Sequence, residues 1–285
     1  MNNKRPKIAL IYDFDGTLSP KNMQEYGFIS DIKIKKDDFW RQNKELANNN
    51  DANQILCYMY LMIKNARSKD IPLKRETFKK YGANIELFSG VKEWFGRINS
   101  YGQSIGVEVK HYINSSGLKE MIEGTEIANE FENIYACTFL YDVNGVACWP
   151  AVAVDYTTKT QFLFKINKGI KEISDTVKIN EYVAEEDRPI PFKHMIYFGD
   201  GTTDIPCMKM IKINGGFSIA VYGDNKKKET ALKLIDENRA NFVCKADYSE
   251  NAELFKVVKR ILDKMKAEND FERLLNVHKI KGKKI

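Results

Sequence analysis

The chain has 285 residues, 43% of them apolar and 12% aromatic, with a net charge of +6. That apolar share supports a packed core and excludes a wholly disordered chain, and no run reaches the roughly 18 apolar residues that a membrane span needs. The length suits one core domain carrying a smaller insertion.

The N-terminus opens with Lys4, Arg5 and Lys7 before an apolar stretch, as a leader would. The stretch is too short for one and runs straight into Asp13, so a soluble, cytoplasmic protein is expected. Residues 7–12 are apolar and β-rich and read as a buried strand. Further strands are predicted over 106–113, 195–198, 217–222 and 240–243. Helical patterns lie between them, over 90–100, 118–123, 159–168, 204–211, 226–237 and 251–266. Strands alternating with helices predict a parallel sheet covered on both faces.

Two stretches break the alternation. Residues 20–82 hold no convincing strand and read as an insert of about four helices, with the apolar segment 55–63 buried among them. Phe39, Trp40, Tyr58, Tyr60 and Phe78 sit there at helical spacing and read as core of that insert rather than as substrate-facing groups. Residues 133–156 contain Asn144-Gly145 between two β-rich runs, which predicts a type I′ hairpin.

The five cysteines show no C-x-x-C pair, and the three histidines no metal spacing. Reduced thiols are expected, although Cys137 and Cys148 could face each other across the hairpin. His111, His194 and His278 read as structural or surface residues. The lysines are spread along the chain except for Lys279, Lys281, Lys283 and Lys284, a basic tail read as a solvated end. Nucleic-acid binding is not expected.

In open α/β sheets, ligands bind beyond the carboxyl ends of the strands. Three predicted strands end in Asp13-Phe14-Asp15-Gly16-Thr17, in Ser115-Ser116-Gly117 and in Gly199-Asp200-Gly201-Thr202-Thr203-Asp204, and Lys159 begins a helix. One such aspartate is often only a cap or a turn former. Four groups in this order resemble the four signature motifs of the haloacid dehalogenase superfamily of phosphohydrolases. The insert after the first motif is similar to the cap of phosphoserine phosphatase-like members.

The resemblance implies a Rossmann-like α/β core, residues 1–20 and 86–285, with a helical cap over 21–85. It implies a phosphatase acting on a small phosphorylated metabolite. Asp13 would be the nucleophile and form an aspartyl-phosphate. Asp15 would be the general acid and base, or else would only shape the turn with Gly16. Asp13, Asp200, Asp204 and a dianionic ester together bring roughly five negative charges against one on Lys159, so a cation is required. Hard oxygen ligands and a phosphate favour Mg2+, held by Asp13, Asp200 and the Asp15 carbonyl. Asp204 would hold a water of that ion, orient Lys159, or cap the next helix. Ser115, the Ser116 and Gly117 amides and Lys159 would hold the phosphoryl oxygens, with Lys165 and Lys168 read as exposed helix lysines. Thr17 would bind the phosphate, fix the loop or cap a helix. A phosphotransferase or phosphomutase using the same intermediate, and a non-catalytic phospho-ligand binder, are the alternative readings.

Overall fold

The computed structural model describes residues 5–282, with side chains described through His278. Its first strand, β1 (Lys7–Tyr12), is followed by four helices, α1 (Phe28–Asp31), α2 (Lys36–Asn50), α3 (Gln54–Arg67) and α4 (Arg75–Gly82). Then come α5 (Val91–Ser104), β2 (Glu108–Leu118), α6 (Lys119–Ile122), β3 (Asn133–Tyr141), β4 (Ala147–Val152) and α7 (Thr160–Lys168). The chain closes with β5 (Met195–Gly199), α8 (Ile205–Ile213), β6 (Phe217–Tyr222), α9 (Asn225–Asp236), β7 (Phe242–Lys245) and α10 (Glu253–Gly282).

The strands form one sheet in the order β4-β3-β2-β1-β5-β6-β7. Every neighbouring pair is parallel except β3 with β4. Residues 8–12 of β1 are all fully buried, so both faces of the central strand are covered, as its unbroken apolar run requires. β1 lies between β2 and β5, where the strand order reverses, and this puts Asp13 at the switch point of the sheet.

Packing fixes the end of β1. Trp94 Nε1 donates to Tyr12 Oη at 2.8 Å, and His111 Nδ1 lies 3.0 Å from the same oxygen. Phe198 stacks on Tyr12 with ring centroids 4.6 Å apart. Burial lowers the His111 pKa to about 3, so this histidine is a neutral core residue. Asp13 N donates to Phe198 O at 2.9 Å and extends the ladder by one rung.

Several expectations are corrected. β2 does not end at residue 113 but continues through a bulged stretch to Leu118, so Ser115 lies within an irregular strand rather than at a strand end just before a helix. The helix that follows, α6, is only four residues long. The hairpin exists, but its turn is not type I′. Gly145 has φ +72° and Asn144 is not left-handed, while Gly145 N bonds Asp142 O and Asp142 N bonds Val146 O. This is a type I turn closed by a glycine bulge, and the Asp142 carboxylate holds it by accepting from Asn144 N and Val146 N. Cys137 and Cys148 do not face each other. Cys137 is buried against Ser116 O at 3.3 Å, whereas Cys148 is half-buried beside Leu140 O. β7 is shifted toward the C-terminus relative to the predicted 240–243. α10 runs well past residue 266, to Gly282. Lys283 and Lys284 of the basic tail lie outside the described residues, as do the side chains of Lys279 and Lys281.

α3 buries Cys57, Tyr58, Met59, Leu61, Met62 and Ile63 but leaves Leu56 and Tyr60 exposed, so it is not covered all round and Tyr60 is not core. Asn53 caps α3 by accepting from Ile55 N and Leu56 N. α4 joins the insert to the sheet, where Phe78 stacks on Phe139 of β3 with centroids 5.6 Å apart.

Candidate active site

The loop after β1 is set by its glycine. Gly16 has φ +78°, and any side chain there would overlap the Asp200 carboxylate, so the loop can approach the end of β5 only with glycine at this position. Tyr248 Oη donates to Thr17 O at 2.8 Å and anchors the loop from behind. Met23 N donates to Asp15 Oδ1 at 3.0 Å, which fixes the second carboxylate from the start of the insert.

Lys159 is placed by a capped turn. Asp155 begins a 3-10 turn, Tyr156–Lys159, in which Asp155 N donates to Thr158 Oγ1 and that hydroxyl donates to Asp155 Oδ1. Asn114 Nδ2 then holds Lys159 O at 3.1 Å. The Lys159 side chain is fully buried, and its Nζ lies 2.9 Å from Asp13 Oδ1 and 2.6 Å from Asp204 Oδ1. Tyr197 Oη also donates to Asp204 Oδ1, at 2.8 Å, and Gly201 N to Asp204 Oδ2, at 3.2 Å. Asp204 therefore orients Lys159 and closes the 3-10 turn Thr202–Asp204, but its side chain makes no capping bond to α8. Oxygens of Asp13, Asp200 and Asp204 all lie within 4.8 Å of one another.

The electrostatics follow from burial and crowding. Burial raises the Asp13 pKa to about 7; Lys159 opposes the rise, and Asp204 and Asp200 add to it. Asp15 is raised well above the usual carboxylate value by burial and then by Asp13. Asp200 is raised by burial, against the pull of Lys227. Burial disfavours the Lys159 ammonium, but Asp13 and Asp204 outweigh it and keep the lysine charged. A carboxylate cluster with one internal lysine and raised pKa values is short of positive charge. All its donors are hard oxygens, and the set fits a magnesium-like cation.

A cavity of about 480 Å³ opens above these groups. Asp13, Asp15, Ser115, Ser116 and Asp200 line it from the sheet side, and Gln24, Trp40, Asn43 and Tyr58 from the insert. Lys159, Asp204 and Thr17 are fully buried beneath its floor. Ser115 Oγ accepts from Gly117 N at 3.1 Å. The hydroxyls of Ser116 and Thr17 are buried with no hydrogen-bond partner among the described residues.

Lys165 and Lys168 are not free surface lysines. Lys165 is buried and donates to Glu172 O and Asp175 O, while Lys168 donates to Ile179 O and Glu181 O. Both hold the loop after α7 and take no part in the cavity. Sequence reasoning missed Lys227, whose Nζ lies 2.6 Å from Asp200 Oδ2. Asp224 caps α9 by accepting from Lys227 N, which turns this lysine toward β5. It also missed the cavity-facing positions of Trp40 and Tyr58.

No protein-family model matches the chain. An uncharacterized protein of Borreliella burgdorferi is 29% identical over 282 residues, covering 90% of this chain and 96% of the relative. Among solved structures, a substrate-bound phosphoserine phosphatase superposes with a TM-score of 0.55 at 15% identity, covering 90% of this chain and 99% of that one. A haloacid dehalogenase-family hydrolase of Salmonella enterica serovar Typhi gives a TM-score of 0.53 at 14% identity, over 79% of this chain and 66% of that one. A phosphoserine phosphatase in a phospho-aspartyl intermediate analogue state gives 0.52 at 16% identity, over 90% and 99%. The chain thus has the fold of the phosphoserine phosphatases and of haloacid dehalogenase-type hydrolases, a seven-stranded, mostly parallel sheet with helices between its strands.

Proposed function

We propose that the protein is a magnesium-dependent phosphatase that hydrolyses a small-molecule phosphate monoester through an aspartyl-phosphate on Asp13. The observation that carries this reading is the buried Lys159 bridging Asp13 and Asp204, with Asp200 beside them on the floor of a cavity. Asp13 Oδ attacks phosphorus as the bond to the leaving oxygen breaks. Asp15, whose raised pKa favours the protonated form, gives its proton to that oxygen. In the second step Asp15 takes a proton from water as the water displaces Asp13 from phosphorus.

Lys159 offsets the charge of the nucleophile and of the phosphoryl group, and Ser115, the unpartnered Ser116 hydroxyl and the Ser116 amide hold phosphoryl oxygens, while the Gly117 amide, taken by Ser115 Oγ, orients that hydroxyl. The Thr17 carbonyl, which accepts from Tyr248 Oη, fixes the loop from behind. A magnesium ion held by Asp13, Asp200 and the Asp15 carbonyl, with Asp204 behind them, supplies the positive charge that the cluster lacks. In this reading residues 21–85 form a cap over a core of 1–20 and 86–285, and the free cysteines suit the reducing cytoplasm. Among the described residues no helix is long and apolar enough to cross a membrane.

The test is release of inorganic phosphate from p-nitrophenyl phosphate with magnesium. We expect turnover that EDTA abolishes. Nitrophenol released without inorganic phosphate would point to transfer onto another acceptor, and no turnover at all to a binding protein.

A further inference from the structure

Lys159 is held by more than the groups that meet the cavity. Its buried ammonium lies between Asp13 and Asp204 and nearer to Asp204, 2.6 Å against 2.9 Å. The Asp204 carboxylate packs directly against β5, where Gly199 leaves room for it; a side chain at that position would overlap the carboxyl group. Tyr197 stands two residues earlier on β5 and so shares the face of Gly199. Its hydroxyl donates at 2.8 Å to Asp204 Oδ1, the oxygen that also accepts from Lys159, while Oδ2 accepts from Gly201 N. One carboxylate oxygen thus serves two donors, one charged and one neutral. Tyr197 is fully buried and stands behind the cavity rather than in its lining. Every other side chain of β5 is apolar, so packing within the strand does not call for this hydroxyl.

Away from water, opposite charges attract strongly, and an unshared Asp204 carboxylate would draw the ammonium away from Asp13. A neutral donor on the shared oxygen takes part of its acceptor capacity and fixes the plane of the carboxylate. We infer that Tyr197 is a positioning residue for Lys159: by sharing Asp204 Oδ1 it limits the hold of Asp204 on the ammonium and keeps that charge in reach of Asp13 and of the transferring phosphoryl group. This rests on the phosphatase reading above. Tyr197 touches no substrate, so its effect belongs to the chemical steps, where charge spreads over the phosphoryl oxygens, and not to binding. A buried phenol also needs a partner of its own. If Asp204 merely satisfied that need, loss of the hydroxyl would alter stability and leave turnover as it was.

The experiment is a double-mutant cycle with p-nitrophenyl phosphate and magnesium, each variant checked for its Tm. Tyr197→Phe keeps the ring and removes only the hydroxyl. It should lower kcat by at least about tenfold, the rate equivalent of one hydrogen bond to a charged group. KM should change by less than about twofold. In Asp204→Asn the carboxylate that both donors share is gone, so adding Tyr197→Phe there should lower kcat by less than about threefold. If Asp204→Asn has no measurable turnover, the contrast between kcat and KM decides alone. Tyr197→Met is the second variant should Tyr197→Phe not fold. An unchanged kcat, a KM that rises as much as kcat falls, an equal fall in both backgrounds, or loss of the fold in both hydroxyl-free variants would overturn the inference and leave the phosphatase reading standing. No turnover by the unaltered protein would overturn that reading, and the role of Tyr197 with it.

Discussion

Lys159 and Lys227 show how differently two lysines of one site are written in a sequence. Lys159 stands alone before a helix, at a place the motif order reserves for a cation, and the fold buries it against Asp13 and Asp204. Lys227 sits in the run Lys226-Lys227-Lys228, which reads as a solvated helix start. Only the parallel pairing of β6 beside β5 brings the turn before α9 to Asp200. Its ammonium occupies an oxygen that a cation would use. Lys227→Met should therefore shift a magnesium titration, followed by thermal melting, to lower concentration. A midpoint unchanged or moved to higher concentration would show that Lys227 does not compete for Asp200.

At the scale of elements, the insert and the sheet meet through single contacts that composition does not reveal. Tyr58 of α3 donates to Ser116 O at 2.7 Å and so ties a helix of the insert to the bulged stretch of β2. Tyr58→Phe should cost about 1 kcal/mol in urea unfolding and raise KM for phosphate esters more than it lowers kcat. Equal effects on KM and kcat, or neither, would remove this tie from the account. The strands β1 and β6 were legible to the residue, because a short β-branched run bounded by polar residues has few other readings. β2 was not, because Asn114-Ser115-Ser116-Gly117 looks like a strand end, and the pairing of Leu118 with Cys137 that prolongs it is a long-range event. The turn at Gly145 was misread for a similar reason: Asn-Gly permits type I′, but Asp142 captures the backbone two residues earlier. The extension of α10 past residue 266 was missed although Phe271, Leu274 and Leu275 stand at helical spacing, a short apolar face that the fold leaves exposed.

For the whole molecule, the buried carboxylates couple stability to pH and metal. The folded pKa of Asp13 rises from 3.8 to about 7, and those of Asp15 and Asp200 rise as well. Carboxylates of this kind contribute stability that is fully present below their unfolded pKa and is lost as pH rises through the folded value. In EDTA the Tm should therefore fall between about pH 4 and pH 8, most steeply about midway between the unfolded and folded pKa values, and level off above the folded one. Magnesium binds the ionised cluster, so it should flatten that slope and, at a hundredfold excess over its Kd, add about 2.7 kcal/mol of stability. Asp200→Asn should weaken that response, and a Tm insensitive to millimolar magnesium at pH 8 would contradict the metal assignment. The central claim, that Asp13 is the nucleophile and Asp15 the acid and base, is tested most directly by trapping the covalent intermediate. A nitrophenolate leaving group needs little protonation, so Asp15→Asn should still be phosphorylated by p-nitrophenyl phosphate but lack the base for the second step. The account predicts a burst of about one nitrophenol per enzyme, then near silence, with the added phosphoryl group placed on Asp13 by mass spectrometry and no burst from Asp13→Asn. Label on Ser115 or Ser116, or a burst that survives in Asp13→Asn, would contradict it.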